Sequence, residues 1–210
     1  MAAPLNAFTY SVPPQANAYP ALRGWFAGER HRLRAAAAAE AAAEKRDAAA
    51  THRQYDPYRT SRVWKVVSDL PRFLSLSEER YDYSGGAHGN ASYAALVWDK
   101  AAKLRRPPIA FFSSPDALKR SVTSAFCQKL NARRDTPGEP EYSPCPDPSK
   151  EALILGSTTG RAFDRIGFLL PPYEAGPYAQ GSFDITVPVT SAILAAVKPE
   201  YRRFFALGPA

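Results

Sequence analysis

Phe8, Tyr10 and Val12 alternate with Thr9 and Ser11, a period of two that predicts a short half-buried strand, stopped by Pro13-Pro14. From Pro20 to about Gln54 the pattern changes to a long helix rich in Ala, Arg and Glu, with Pro20 suited to the first turn and Asp56-Pro57 at the exit. Leu22, Trp25, Phe26 and Leu33 form a helical apolar stripe, and the tract from Ala35 to Ala43 has side chains small enough to let a sheet approach. An amphipathic membrane helix is the competing reading of this segment, and its later half offers no bulky apolar face to insert. Alternation returns over residues 61–70 through Val63, Lys65 and Val67, continues over 72–83 after Pro71, and recurs over 92–99, which predicts paired antiparallel strands.

Ser113 or Ser114 ahead of Pro115-Asp116 reads as the cap of a helix running to about Asn131, amphipathic through Leu118, Val122, Ala125, Phe126 and Leu130. Strands are expected over 151–157, 163–170 and 183–187, then a short helix from Thr190 to Val197 and an aromatic tail, Tyr201, Phe204 and Phe205, that docks its end. Strands and helices mix without a regular β-α-β alternation. The expected fold class is α+β, with antiparallel sheets packed by one long N-terminal helix and shorter helices.

The 210 residues are 45% hydrophobic and 12% aromatic, ample for a core. No apolar run is long enough to span a bilayer. The opening Met1-Ala2-Ala3-Pro4 lacks the basic and apolar regions of a secretory signal, so the chain is either cytosolic or a mature sequence restarted at its only methionine. A net charge of +7 is unevenly placed: from Lys100 to Arg134 there are nine cationic side chains against Asp116 alone. Such a face suits an anionic envelope polymer, with Arg105, Arg106 and Arg120 as contacts; the plainer reading is a solvated surface. Nucleic acid is not expected, because no binding motif accompanies the charge.

Cys127 and Cys145 flank a polar, turn-rich stretch. A bridge there would constrain the unfolded chain by about 3 kcal/mol, while two free thiols in a reducing compartment are the alternative. Zinc is not expected, since neither cysteine has a second Cys or a His at ligand spacing.

His88 sits in Tyr81-Asp82-Tyr83-Ser84-Gly85-Gly86-Ala87-His88-Gly89-Asn90, a glycine-rich turn in which a histidine either fixes the loop or binds a ligand; Asn90 invites the same two readings. His31 and His52 lie on the long helix as surface residues. The stretch Phe168 to Pro188, FLLPPYEAGPYAQGSFDITVP, places Tyr173, Glu174 and Tyr178 in a loop between two strands. The rings there serve recognition of a sugar or protein, or they anchor the turn. No Gly-x-Ser-x-Gly elbow occurs, and Gly156-Ser157-Thr158-Thr159-Gly160 lacks the lysine of a phosphate loop and reads as a hairpin turn.

Two of these motifs carry a family resemblance. The segment around Tyr173 resembles the C-terminal domain of the anti-sigma factor RsiV and its envelope relatives, and the turn around His88 resembles the domain that precedes it, also found N-terminal to the deacetylase PdaC. The resemblance implies a PdaC-type domain over 8–134, an RsiV-type domain over 151–205 and a proline-rich connection over 135–150, with the two domains either separate or joined in one compact unit. It also implies an envelope or periplasmic location, a signal or lipid anchor removed from the native precursor, and a Cys127–Cys145 disulfide.

The Asp-Asp pair and His-x-x-x-His motif of a polysaccharide deacetylase do not occur, so the resemblance points to a non-enzymatic binding or sensing module. Its expected partner is a cell-wall glycan, an anionic envelope polymer or a protein ligand. Tyr173, Glu174, Tyr178, His88 and Asn90 are the ligand-binding candidates, and neither catalytic residue, cofactor nor metal is assigned. Two rivals stand beside it: a glycan hydrolase pairing Glu174 with Asp184 or Asp164, and an inhibitor or sensor of the lysozyme or protease type that presents an exposed aromatic loop.

Overall fold

The computed structural model describes residues 5–134 and 145–209. The fold is mixed α+β, as the alternation of the sequence predicts. Among the described residues eight strands form a five-stranded sheet in the order β1-β2-β3-β4-β5 and a three-stranded sheet in the order β6-β7-β8. The strands are β1 (Asn6–Ser11), β2 (Tyr58–Asp69), β3 (Phe73–Tyr83), β4 (Asn90–Asp99), β5 (Leu104–Arg106), β6 (Ala152–Gly156), β7 (Arg165–Leu170) and β8 (Phe183–Pro188). The α-helices of the described residues are α1 (Pro14–Asn17), α2 (Pro20–Ala50), α3 (Pro115–Arg134) and α4 (Ser191–Ala196). No described helix is long and apolar enough to cross a membrane.

By contacts the chain divides into Met1–Lys65 with Glu78–Ser92, and Val66–Ser77 with Tyr93–Ala210. Helix α3 therefore belongs with the C-terminal strands, and the division does not coincide with the proline-rich connection over 135–150, of which 135–144 lie outside the described residues.

In the first unit β1 pairs in parallel with β2, from Asn6 opposite Tyr58 to Ser11 opposite Val63. Parallel neighbours need a crossover, and the 31 residues of α2 provide it. Leu22 and Phe26 are buried on its first turns, and further along its buried positions are Ala37, Ala41 and Ala48. Trp64 of β2 meets the Trp25 and Phe26 rings edge-on, at centroid distances of 5.8 and 5.2 Å. The helix stops at Ala50, four residues before the expected end, because the chain turns left-handed at His52 (φ 55°). Thr51 Oγ1 donates to the Asp47 carbonyl at 2.8 Å, and Arg53 bridges Glu44 and Asp47. The Thr51 hydroxyl and the amides of His52 and Arg53 occupy the Asp47, Ala49 and Ala48 carbonyls that a helix end leaves open.

The second unit holds the main hydrophobic core. Strands β6, β7 and β8 are antiparallel, with Phe168 at the centre, opposite Leu153 on one side and Ile185 on the other. Helix α3 lies over them. It starts where Ser114 Oγ accepts from the Ala117 amide at 3.0 Å, the expected cap, and buries Leu118, Val122, Phe126 and Leu130. The Phe126 ring stands edge-on to Phe168 at 5.1 Å. Gly167 in β7 is a packing requirement, since a Cβ there would lie 2.7 Å from Ile154 Cγ1. The aromatic tail docks as expected: Tyr201 against Phe111 at 4.6 Å, Phe204 against Phe73 at 4.9 Å and Phe205 against Phe163 at 5.2 Å. The apolar residues 109–112 fall in and just after a 3-10 turn, Pro108–Phe111. Pro107 and Pro108 lack amide donors and cannot join a sheet ladder.

Cys127 of α3 and Cys145 are joined by a disulfide, their Cα atoms 5.7 Å apart. Its closed loop spans 18 residues, so replacing both cysteines by alanine is expected to cost about 3 kcal/mol, read as a lowered midpoint in chemical denaturation. The mass of the unreduced protein should be short by two hydrogens. In the first unit Gly85 (φ 92°) and Gly86 (φ 91°) both take positive φ, so Gly86→Val should destabilise the protein by about 1 kcal/mol or more, whereas His88→Ala should leave its melting temperature within a degree or two.

Candidate functional site

Between β7 and β8 the chain must reverse after two prolines, and it does so through Tyr173, at a φ of 75° that side chains other than glycine resist. Ala175 and Gly176 are buried beneath this loop, and Gly181 takes the second positive angle, φ 73°. The Tyr173 ring is 55% exposed and packs against the Tyr178 ring at 5.6 Å and 42°. The loop is tied from below by Arg134, the last residue of α3, whose Nη1 donates to the Ala175 carbonyl at 3.0 Å and whose Nη2 donates to Asn131 Oδ1 at 2.6 Å. Arg134 is itself buried. A planar, always-charged guanidinium at a helix C-terminus is favoured by the helix dipole and holds a carbonyl in a fixed direction.

Glu174 lies next to the exposed ring and within hydrogen-bond reach of Glu151, the residue before β6. Burial, then the Glu174 charge and the hydrogen bond to it, and last a smaller push from Asp147 together raise the Glu151 carboxyl to about 8. Near neutral pH Glu151 therefore keeps its proton. Asp147 is occupied elsewhere: it accepts from Lys119 Nζ at 2.8 Å and caps the turn at Ser149, and the lysine holds its carboxyl well below the usual range.

The other candidates take different places. Asp164 is buried and accepts from the Thr158 amide at 2.9 Å and from the Thr158 hydroxyl, which closes the β6–β7 connection. Asp184 is exposed on β8 and accepts from Thr186 Oγ1 at 3.3 Å. The carboxyl group that meets Glu174 is thus Glu151, which no sequence motif singles out. Its only sequence signal is its position just before a strand, in a stretch that a proline turn brings under the loop.

His88 and Asn90 belong to the first unit and the tyrosine loop to the second. His88 is exposed, its Nδ1 3.1 Å from the Gly89 carbonyl oxygen, and Asn90 is exposed at the start of β4. The turn is held by Tyr83, whose hydroxyl donates to the Gly86 carbonyl at 3.1 Å and also bonds Asp56. Tyr81 covers Gly89, where an added Cβ would fall 2.4 Å from the ring.

Of the expected anion contacts, Arg105 and Arg120 are exposed, while Arg106 is half-buried, 3.5 Å from the Asp99 carboxylate and over the Tyr201 ring. Asp99 is fully buried at the end of β4 and accepts two hydrogen bonds from Arg72, at 2.6 and 3.0 Å, and one from the Ala102 amide at 3.0 Å. Burial alone would raise its carboxyl; the Arg72 pairing and the amide outweigh it and hold the group below its ordinary value. Among the described residues no three His, Cys, Asp or Glu side chains are grouped as metal ligands.

Residues 7–91 match the family model described as Deacetylase PdaC. Among solved structures the chain is similar to a DUF3298 family protein from Pseudomonas aeruginosa PAO1, at 14% identity and a TM-score of 0.44 over 71% of this chain and 66% of that one. It is also similar to a member of the DUF3298 family from Bacteroides fragilis NCTC 9343, at 19% identity and a TM-score of 0.48 over 85% of this chain and 67% of that one. The chain spans slightly less than two thirds of the length of the first of these. No curated protein matches it.

The raised Glu151 carboxyl has a measurable consequence. Because Glu151 holds its proton more tightly in the folded than in the unfolded chain, its contribution to stability is full below the ordinary glutamate range and is lost as pH rises through about 8. Melting temperatures measured from pH 5 to 9 should therefore fall with a component that Glu151→Gln removes. An unchanged slope in that variant would show that Glu151 does not titrate in this range.

Proposed function

We propose that the chain is a non-enzymatic extracytoplasmic module of the cell envelope, a PdaC-type segment followed by an RsiV-type segment, that recognises a cell-wall glycan through the Tyr173–Tyr178 loop. The observation that carries this reading is an exposed aromatic ring held at a backbone angle that costs roughly 1–3 kcal/mol. Such a cost persists where the surrounding structure enforces it, and here Arg134 and the buried Ala175–Gly176 segment do so. A tyrosine fixed in this way offers stacking area for a pyranose ring with little entropy left to lose, and the neighbouring Glu174 can accept from sugar hydroxyls.

The same loop argues against glycoside hydrolysis. The acid and its partner carboxylate in such enzymes stand about 5–5.5 Å apart for retention or about 6.5–9.5 Å for inversion, leaving room for the sugar or a water. Glu174 and Glu151 meet at hydrogen-bond range instead. A protein ligand is the other occupant the loop suits, since tyrosines are frequent anchors of protein interfaces. A periplasmic location, with a signal or lipid anchor removed from the precursor, fits the glycan reading and the Cys127–Cys145 bridge.

The test is titration calorimetry of the purified chain with soluble peptidoglycan fragments. Tyr173→Gly is expected to weaken binding about tenfold or more while the melting temperature holds or rises, because glycine relieves the positive φ. Undiminished affinity in that variant, or no binding of any fragment by the parent chain, would rule out the loop as the glycan site.

A further inference from the structure

Strand β8 is the outer strand of its sheet, and its outward carbonyls would ordinarily invite another chain to pair. Two cations from α3 occupy them instead: Lys129 Nζ donates to the Thr186 carbonyl at 2.8 Å and Arg133 Nη1 to the Asp184 carbonyl at 2.7 Å. Arg165, on the neighbouring β7, joins them along an open cleft of about 400 Å³ that Asp184, Ile185 and Thr186 also line.

The charges of this cleft differ from the ion-paired cations of the same unit. Arg72 and Arg106 are offset by Asp99, Lys100 by Asp69 and Lys119 by Asp147. Lys129 and Arg133 are anchored by neutral carbonyls, and among the described residues none of the three cations pairs with a carboxylate. The anchoring bonds use one of three donors on the lysine and one of five on Arg133, so most of their capacity is open while the head groups are held in place. The cleft carries three positive charges against the one of Asp184.

We propose that this cleft is an oxyanion site that takes the phosphate of a hydroxylated phosphate ester, with the phosphate against Lys129, Arg133 and Arg165 and a hydroxyl donated to the Asp184 carboxylate. Three cations converging on a few oxygens match a phosphate in charge and donor number, and Arg supplies paired donors to two oxygens at once. Asp184 repels a bare anion and accepts from a hydroxyl, which turns general anion attraction into a preference for a sugar or polyol phosphate. The site requires neither tyrosine and stands apart from the glycan reading of the loop.

Titration of the full chain with glycerol 3-phosphate and with inorganic phosphate, at about 0.01 M ionic strength where screening is weak, tests it. Glycerol 3-phosphate should bind saturably and more tightly than inorganic phosphate. Arg165→Gln, which removes no side-chain hydrogen bond or ion pair between described residues, should weaken it about tenfold or more, and Asp184→Asn should strengthen inorganic phosphate and erase the preference. Arg120→Gln serves as a surface control and should change affinity less than twofold. Vesicles of phosphatidylglycerol distinguish the source: binding to them alone, lost in Arg165→Gln, keeps the site and assigns the ester to a lipid headgroup. Equal losses in Arg165→Gln and Arg120→Gln, or no saturable binding to either phosphate or vesicles, would overturn the proposal.

Discussion

Helix α3 sets the register of everything around it in the second unit. Its buried residues, Leu118, Val122, Phe126, Leu130 and Arg134, recur every four positions. With 3.6 residues per turn, each step of four advances the stripe by about 40°, so the buried line slants round the helix and follows a twisted sheet beneath. Four of the five are apolar, and burying each contributes about 1.5–3 kcal/mol, enough to fix the helix in one position on β6, β7 and β8. The fifth is an arginine, and there the stripe stops supplying core and starts supplying a hydrogen bond to the tyrosine loop.

That single placement has three consequences, all fixed by helix geometry. Cys127, one residue after Phe126, comes within bridging distance of Cys145. Lys129 and Arg133, each one residue before a buried position and four apart, reach along β8 to two carbonyls separated by one residue. Arg134 reaches Ala175. A slip of the helix by one residue would rotate it by about 100° and break all three together. The exposed loop and the charged strand edge are therefore held by the apolar core, and their rigidity comes from packing rather than from contacts of their own.

Much of this architecture can be read from the sequence because its signals are local. Alternation located β1 to β4 and β6 to β8 to within a few residues, Ser114 announced the start of α3, and the Gly85-Gly86 pair announced positive backbone angles. What could not be read depends on partners distant in sequence. Strand β5 is three residues long, too short for a periodic pattern, and exists through its pairing with residues 97–99. Glu151 and Glu174 are 23 positions apart, and nothing local marks a glutamate that will be buried beside another. Nor does a run of basic residues reveal which of them will find a carboxylate.

The net charge of +7 consequently says little about where an anion would go. A cation paired with a buried carboxylate, as Arg72 is with Asp99, presents a nearly neutral dipole to solvent, and its attraction fades within a few ångströms. A cation anchored by a carbonyl keeps its whole charge, because the peptide group contributes only a dipole. Sequence counts treat these two cases as equal. In the folded chain they separate: near Asp99 the positive charge is spent on internal structure, while along β8 it is held in fixed positions and left outstanding. The field at short range follows the uncompensated charges and not the total, and along the edge of the three-stranded sheet Lys129, Arg133 and Arg165 stand against Asp184 alone.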